Sequence, residues 1–226
     1  MNPDNTRTTP ASDPPSSDTA ALAVPSGKRL RRDEIVVEAT RLFAERGYEG
    51  ASMADLAERV GLRKASLFHH FASKDVLYAA VLERLIAPVS AAIAAAMMTE
   101  GSLEVRLDAL SDAITQVLHG QPFAARLLVR EAMDWGPVIR DKLSGTLQEV
   151  LRTAAQFAKV GQEAGVFVEG DPRQLIITIV GVHFMPFAIP HVTEAFLEMS
   201  PYDAAFLEPR KAAVRAHIRG IALRAR

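Results

Sequence analysis

Cysteine is absent from the 226-residue chain. Disulfides, thiolate metal centres and cysteine nucleophiles are thereby excluded, and the absence suits a reducing compartment. Aromatic residues are sparse, with one Trp, three Tyr and ten Phe, so a core has to be built mainly from aliphatic side chains. A charge excess is also missing: 26 Lys and Arg oppose 27 Asp and Glu, for a formal net charge of -1. Any electrostatic attraction to nucleic acid must therefore be local. No secretory leader is expected, because the A-A-L-A-V run at 20–24 is too short and has no basic segment before it. These absences lead us to expect a cytoplasmic protein of one or two compact domains.

The first 27 residues are rich in Pro, Ser, Thr, Asp and Ala and offer little that could form an apolar face, so 1–27 reads as a disordered tail. A basic patch follows, Lys28, Arg29, Leu30, Arg31 and Arg32. It is either a solvated linker or an arm that touches phosphates or the minor groove. A first helix is expected over Asp33–Arg46, with Ile35, Val36, Ala39, Leu42 and Phe43 inward and Gly47 at its end. Ser52 followed three residues later by Asp55 is a capping-box arrangement, which starts a second helix at Met53. Met53, Leu56, Ala57 and Val60 form its inner stripe, and Gly61 supplies the turn. A third helix over Lys64–Phe71 puts Leu67 and Phe71 on one side, leaving Lys64, Ser66, Phe68, His69 and His70 largely on the others. Two short helices joined by a glycine turn, the second of them polar, describe a helix-turn-helix whose second helix can enter a DNA major groove.

The run G-L-R-K-A-S-L-F-H-H-F-A-S-K-D at 61–75, preceded by R-L-F-A-E-R-G-Y-E-G-A-S-M at 41–53, resembles the signature of the TetR family of transcriptional regulators over about Arg31 to Leu82. Two positions depart from it. The family usually has Tyr where this chain has Phe68, which has no hydroxyl to give a phosphate, and a small capping residue where this chain has Arg63. The candidate DNA-binding residues are Ser52, Met53, Arg63, Lys64, Ala65, Ser66, Phe68, His69, His70 and Lys74. Lys64 is assigned to base edges. Lys74 sits at the N-terminus of the next helix, which Ser73 caps, and the resemblance gives that position a phosphate-clamping role.

Beyond Lys74 the pattern is helical throughout, with no strand-like alternation, so the fold class is all-α with about nine helices. The expected division is a helix-turn-helix domain over 28–73 and an effector-binding and dimerisation domain over 74–226. Pro88 either kinks the fourth helix, which reaches about Met98, or separates two helices. Further helices are expected over about Ser102–His119, Pro122–Asp134 and Val138–Ala164, with Trp135–Pro137 as a turn. Arg173–His191 is apolar nearly all round, yet falls short of a bilayer span and contains His183 and Pro186. Packing inside the subunit on one face and against a second subunit on another explains it. With the last helix, Ala204–Leu223, it would build a four-helix homodimer interface, as the resemblance also implies.

A dimer presents two recognition helices, so double-stranded DNA with a palindromic operator is the expected partner, its half-sites about one helical turn, ~34–36 Å, apart or somewhat more. The resemblance also implies an effector pocket in the C-terminal domain. Phe123, Leu127, Met133, Trp135, Phe157, His183, Phe184 and Phe187 are its candidate lining, suited to a small, mostly apolar molecule. No cofactor, metal site or membrane partner is indicated. An enzyme is the competing class, but the sequence shows no nucleophile elbow, no phosphate-cradling glycine loop and no paired His at metal spacing; His69 and His70 point about 100° apart. A third reading is a dimeric ligand- or protein-binding module without tight DNA binding.

Overall fold

A computed structural model describes residues 32–134, 140 and 144–225. The N-terminal tail, the basic residues 28–31 and the Trp135–Pro137 turn lie outside the described residues. The described chain is all-helical: α1 (Arg32–Gly50), α2 (Met53–Arg59), α3 (Lys64–His70), α4 (Lys74–Met98), α5 (Leu103–His119), α6 (Ala124–Asp134), α7 (Ser144–Glu163), α8 (Pro172–Ala188), α9 (Pro190–Leu197) and α10 (Ala204–Ala222). One isolated antiparallel bridge joins Phe167 to Leu223.

Among the described residues ten helices replace the about nine expected, because the stretch Arg173–His191 is not one helix. It breaks at Ile189, whose φ of -119 and ψ of 55 are not helical, and α8 and α9 meet at a bend of 79°. Pro190 at the start of α9 is the physical cause: it lacks an N–H for the helix behind it and is favourable in a first turn. Pro88, in contrast, sits inside one continuous 25-residue helix and separates nothing.

Local signals set the N-terminal unit. Gly47 breaks α1 at φ 70, a left-handed backbone that favours glycine. The Ser52–Asp55 capping box is complete: the Ser52 hydroxyl accepts from the Asp55 N–H at 3.1 Å, and the Asp55 carboxylate accepts from the Ser52 N–H at 3.1 Å. The Ser52 hydroxyl also donates to the Asp55 carboxylate at 2.8 Å, and this bond, ahead of the Ser52 N–H bond, holds the Asp55 carboxyl below its ordinary value. Gly61 turns the chain at φ 67, and the Ser73 hydroxyl caps α4 by accepting from the Val76 N–H at 3.2 Å.

Two apolar cores share α4. The first contains Phe43, Leu56, Leu67 and Phe71 together with Leu77, Tyr78, Val81, Leu82 and Leu85 of α4 and Ala124 and Leu127 of α6. Val60 and Tyr48 pack against its edge. The second begins at Ile86, the next residue of α4, and gathers apolar faces of α5, α7, α8 and α10. By length and composition α4 could cross a membrane, but its apolar residues are divided between these two cores.

Candidate DNA interface and effector cavity

Leu67, 0% exposed, and Phe71, 1% exposed, fasten α3 to the first core. Period 3.6 then directs Lys64, Ala65, Phe68 and His69 outward, and all four are exposed. Arg63 precedes them, exposed and with no side-chain capping bond, since a guanidinium has no acceptor to offer a backbone N–H. Ser66 and His70 are half-buried at the flanks of the face. Lys74 is half-buried at the start of α4, and its ammonium lies 4.2 Å from the Tyr48 ring centroid. Tyr48 in turn donates to the Asp75 carboxylate, and burial, followed by this bond, pushes its phenol pKa up. Lys74 is thereby held against an aromatic face, with free backbone N–H groups of the α4 first turn nearby.

Two members of the expected set stand elsewhere. Met53 is 7% exposed and belongs to the first core, so its side chain is not available to a ligand outside. Ser52 is exposed, but its hydroxyl is engaged with Asp55. The stripe that starts α2 inward is itself the reason for Met53.

The second core encloses a cavity of about 300 Å³. Ile86, Ile93, Leu110, Ile114, Val150 and Phe157 are among its walls, and no charged side chain lines it among the described residues. Ser111 and His183 are its polar residues. His183 is 2% exposed; its Nδ1 lies 2.9 Å from the Ile179 carbonyl and its Nε2 has no partner among the described residues. Nδ1 as the donor leaves Nε2 as an acceptor. Burial depresses the His183 pKa, which keeps the ring neutral.

Of the residues expected to line a pocket, Phe157, His183 and Phe184 do so. The others require correction. Leu127 belongs to the first core, Met133 is 80% exposed, and Phe187 packs on Tyr202 and Phe206 at 5.9 Å between ring centroids. Phe123 precedes α6 and is half-buried away from the cavity, and Trp135 lies outside the described residues. The cavity walls that sequence reasoning missed are mostly aliphatic residues of α4, α5 and α7, where helical periodicity marks a buried face without distinguishing a filled interior from a hollow one.

The two regions meet at α6. Its Leu128, Val129 and Ala132 line the cavity, while Ala124 and Leu127 are buried in the first core. Arg126 donates to the Ala44 carbonyl at 2.9 Å, and the Tyr78 hydroxyl of α4 donates to Glu131. Glu131 is 5% exposed, and that desolvation raises its pKa against the opposing effect of the Tyr78 bond. Among the described residues no group of three or more His, Cys, Asp or Glu is placed to hold a metal ion.

Comparison with known proteins identifies the family of the chain. Residues 35–81 match the family model described as "Bacterial regulatory proteins, tetR family", and residues 104–218 match "Tetracyclin repressor-like, C-terminal domain". The regulator RutR of Escherichia coli K12 is 27% identical over 177 residues, covering 72% of this chain and 80% of that protein. The transcriptional activator FasR of Mycolicibacterium smegmatis is 34% identical over 106 residues, 45% of this chain and 48% of FasR, so this alignment spans about half of that relative. Among solved structures, the ketosteroid transcriptional regulator KstR2 of Mycobacterium tuberculosis superposes with a TM-score of 0.70 at 19% identity, covering 87% of this chain and 97% of that one.

Proposed function

The chain belongs to the TetR family of bacterial regulatory proteins, and from that premise we propose that it is a cytoplasmic transcriptional repressor that binds a palindromic operator as a homodimer and is released by a small, apolar effector. The observation that carries the reading is the outward face of α3, where Lys64, Ala65, Phe68 and His69 are exposed on a helix whose other side is locked into a core. Arg63 and Lys74 flank that face with positive charge suited to phosphates. The domains are assigned as a tail over 1–27, the DNA-binding unit over 28–73 and the effector and dimerisation unit over 74–226.

The dimer surface is assigned to α8, α9 and α10. Ile177, Met185, Val192 and Phe196 are 60%, 49%, 62% and 85% exposed, and exposed small residues Ala205, Ala212, Ala216 and Gly220 line one side of α10. Large apolar side chains on one helix pair facing small ones on another suit close helix packing across a two-fold axis. The effector site is the cavity: with no charged wall residue, it favours a neutral or hydrocarbon body over an ion. An effector alters operator affinity only if it binds the DNA-free geometry more tightly, and α6, in contact with both regions, is the element through which that difference acts.

The test is selection of sites from random DNA by the full-length protein, followed by titration at several salt concentrations. Saturable, salt-sensitive binding to one palindrome is expected. Uniform weak binding to every duplex would instead indicate a ligand- or protein-binding module.

A further inference from the structure

Phe68 is 40% exposed and belongs to neither core. Leaving a phenylalanine ring partly uncovered forgoes apolar burial, on a helix whose next residue inward, Leu67, is fully buried. Ala65 stands one turn before it on the same face, and the Lys64 ammonium lies 6.0 Å from the Phe68 ring centroid. A phenyl ring has neither donor nor acceptor in the plane of a base edge, and it cannot bond a phosphate as a hydroxyl can. In a major groove its available contact is apolar, and the apolar substituent that base pairs present there is the thymine C5-methyl group.

The geometry points to Phe68 as a specificity-determining residue that recognises a thymine 5-methyl group in each half-site, with Ala65 extending the apolar contact and Lys64 reaching the adjacent polar base edge. This rests on the operator-binding reading above. It replaces a phosphate-positioning role at this place in the helix with direct readout.

Full-length protein is titrated by fluorescence anisotropy against its selected operator and against duplexes in which each thymine in turn becomes deoxyuridine. That exchange removes the methyl group and leaves every hydrogen-bonding group in place. Loss of the methyl contact should weaken binding about fourfold per half-site and about fifteenfold when both half-sites are changed, from the worth of one buried carbon. Phe68→Ala should bind the thymine and deoxyuridine duplexes equally, whereas Phe68→Leu should retain part of the difference. Because the side chain lies outside both cores, circular dichroism of either variant should match that of the parent. An operator in which no thymine responds, or a response of the same size in Phe68→Ala, overturns the inference while leaving the regulator intact. Binding without any sequence preference overturns the operator reading itself, and this inference with it.

Discussion

Around Leu56, Leu67 and Phe71 the side chains are 0%, 0% and 1% exposed and fill the space between α1, α2, α3, α4 and α6. Around Ile93, Val150 and Phe157, side chains of the same kind line a cavity of about 300 Å³. Both interiors are apolar, and both borrow the same helix, α4. The difference lies in vacancy. A filled core holds α3 at one angle, which base recognition requires, whereas a hollow one forgoes dispersion contacts that an apolar guest can restore.

The largest expected effect contrasts one residue type in the two interiors. Phe71→Ala should cost about 3–5 kcal/mol of stability, since every side of the ring has neighbours to lose. Phe157→Ala should cost less, because one side of that ring already faces the cavity. Urea unfolding of both variants measures the contrast, and equal losses would break it.

Filling the hollow interior should act in the opposite direction. Ala154, on the wall of the cavity, is 9% exposed. Ala154→Leu is expected to leave operator affinity unchanged and to weaken an apolar effector at least about tenfold, equivalent to about 1.4 kcal/mol. Isothermal titration with the effector and anisotropy with the operator separate the two readouts. A parallel fall in operator affinity would mean that the cavity wall is part of what holds α3.

A smaller effect belongs to the filled region. Ser52→Ala removes a hydroxyl that accepts from the Asp55 N–H and should cost about 1 kcal/mol, the usual worth of an N-cap. The melting temperature should fall while the effector affinity stays constant. If effector affinity changes as well, the two interiors are less separable than their packing indicates.

Sequence alone carried unequal information about the two regions. Most boundaries of the helix-turn-helix rest on a short-range signal, namely the Ser52–Asp55 box, the left-handed Gly61 and the Ser73 cap, while the uncapped start of α3 at Arg63 was legible from the apolar pair Leu67 and Phe71. In the C-terminal region the helical spacing of Leu103, Leu107, Leu110 and Ile114 on α5 foretold burial but not the hollow that α5 and α7 border. Leu127 and Phe187 illustrate why: each is inward-facing, yet one faces the first core and the other an aromatic cluster with Tyr202 and Phe206. Inward is a property of one helix, while the choice of neighbour is set by the assembly of several. The bend at Ile189 was missed for a related reason, since Pro186 is tolerated inside α8 and Pro190 opens α9; two prolines four residues apart gave no local reason to choose between them.

The mildest prediction concerns the link between the regions. Desolvation holds the Glu131 carboxyl above its ordinary value of 4.5, so the folded chain binds that proton more tightly than the unfolded chain does. Stability from this group is therefore full below the unfolded value and is lost as pH rises through the raised folded value, where the buried carboxyl must ionise. Glu131→Gln retains an oxygen to accept the Tyr78 hydroxyl but cannot ionise. Relative to the parent, the variant should match it below about pH 4.5 and gain stability with rising pH, levelling off above the folded value. Urea midpoints collected between acidic and neutral pH test this directly. An identical pH slope in both proteins would mean that Glu131 ionises as freely as an exposed carboxyl, and the α4–α6 clasp would then be too wet to tie the filled core to the hollow one.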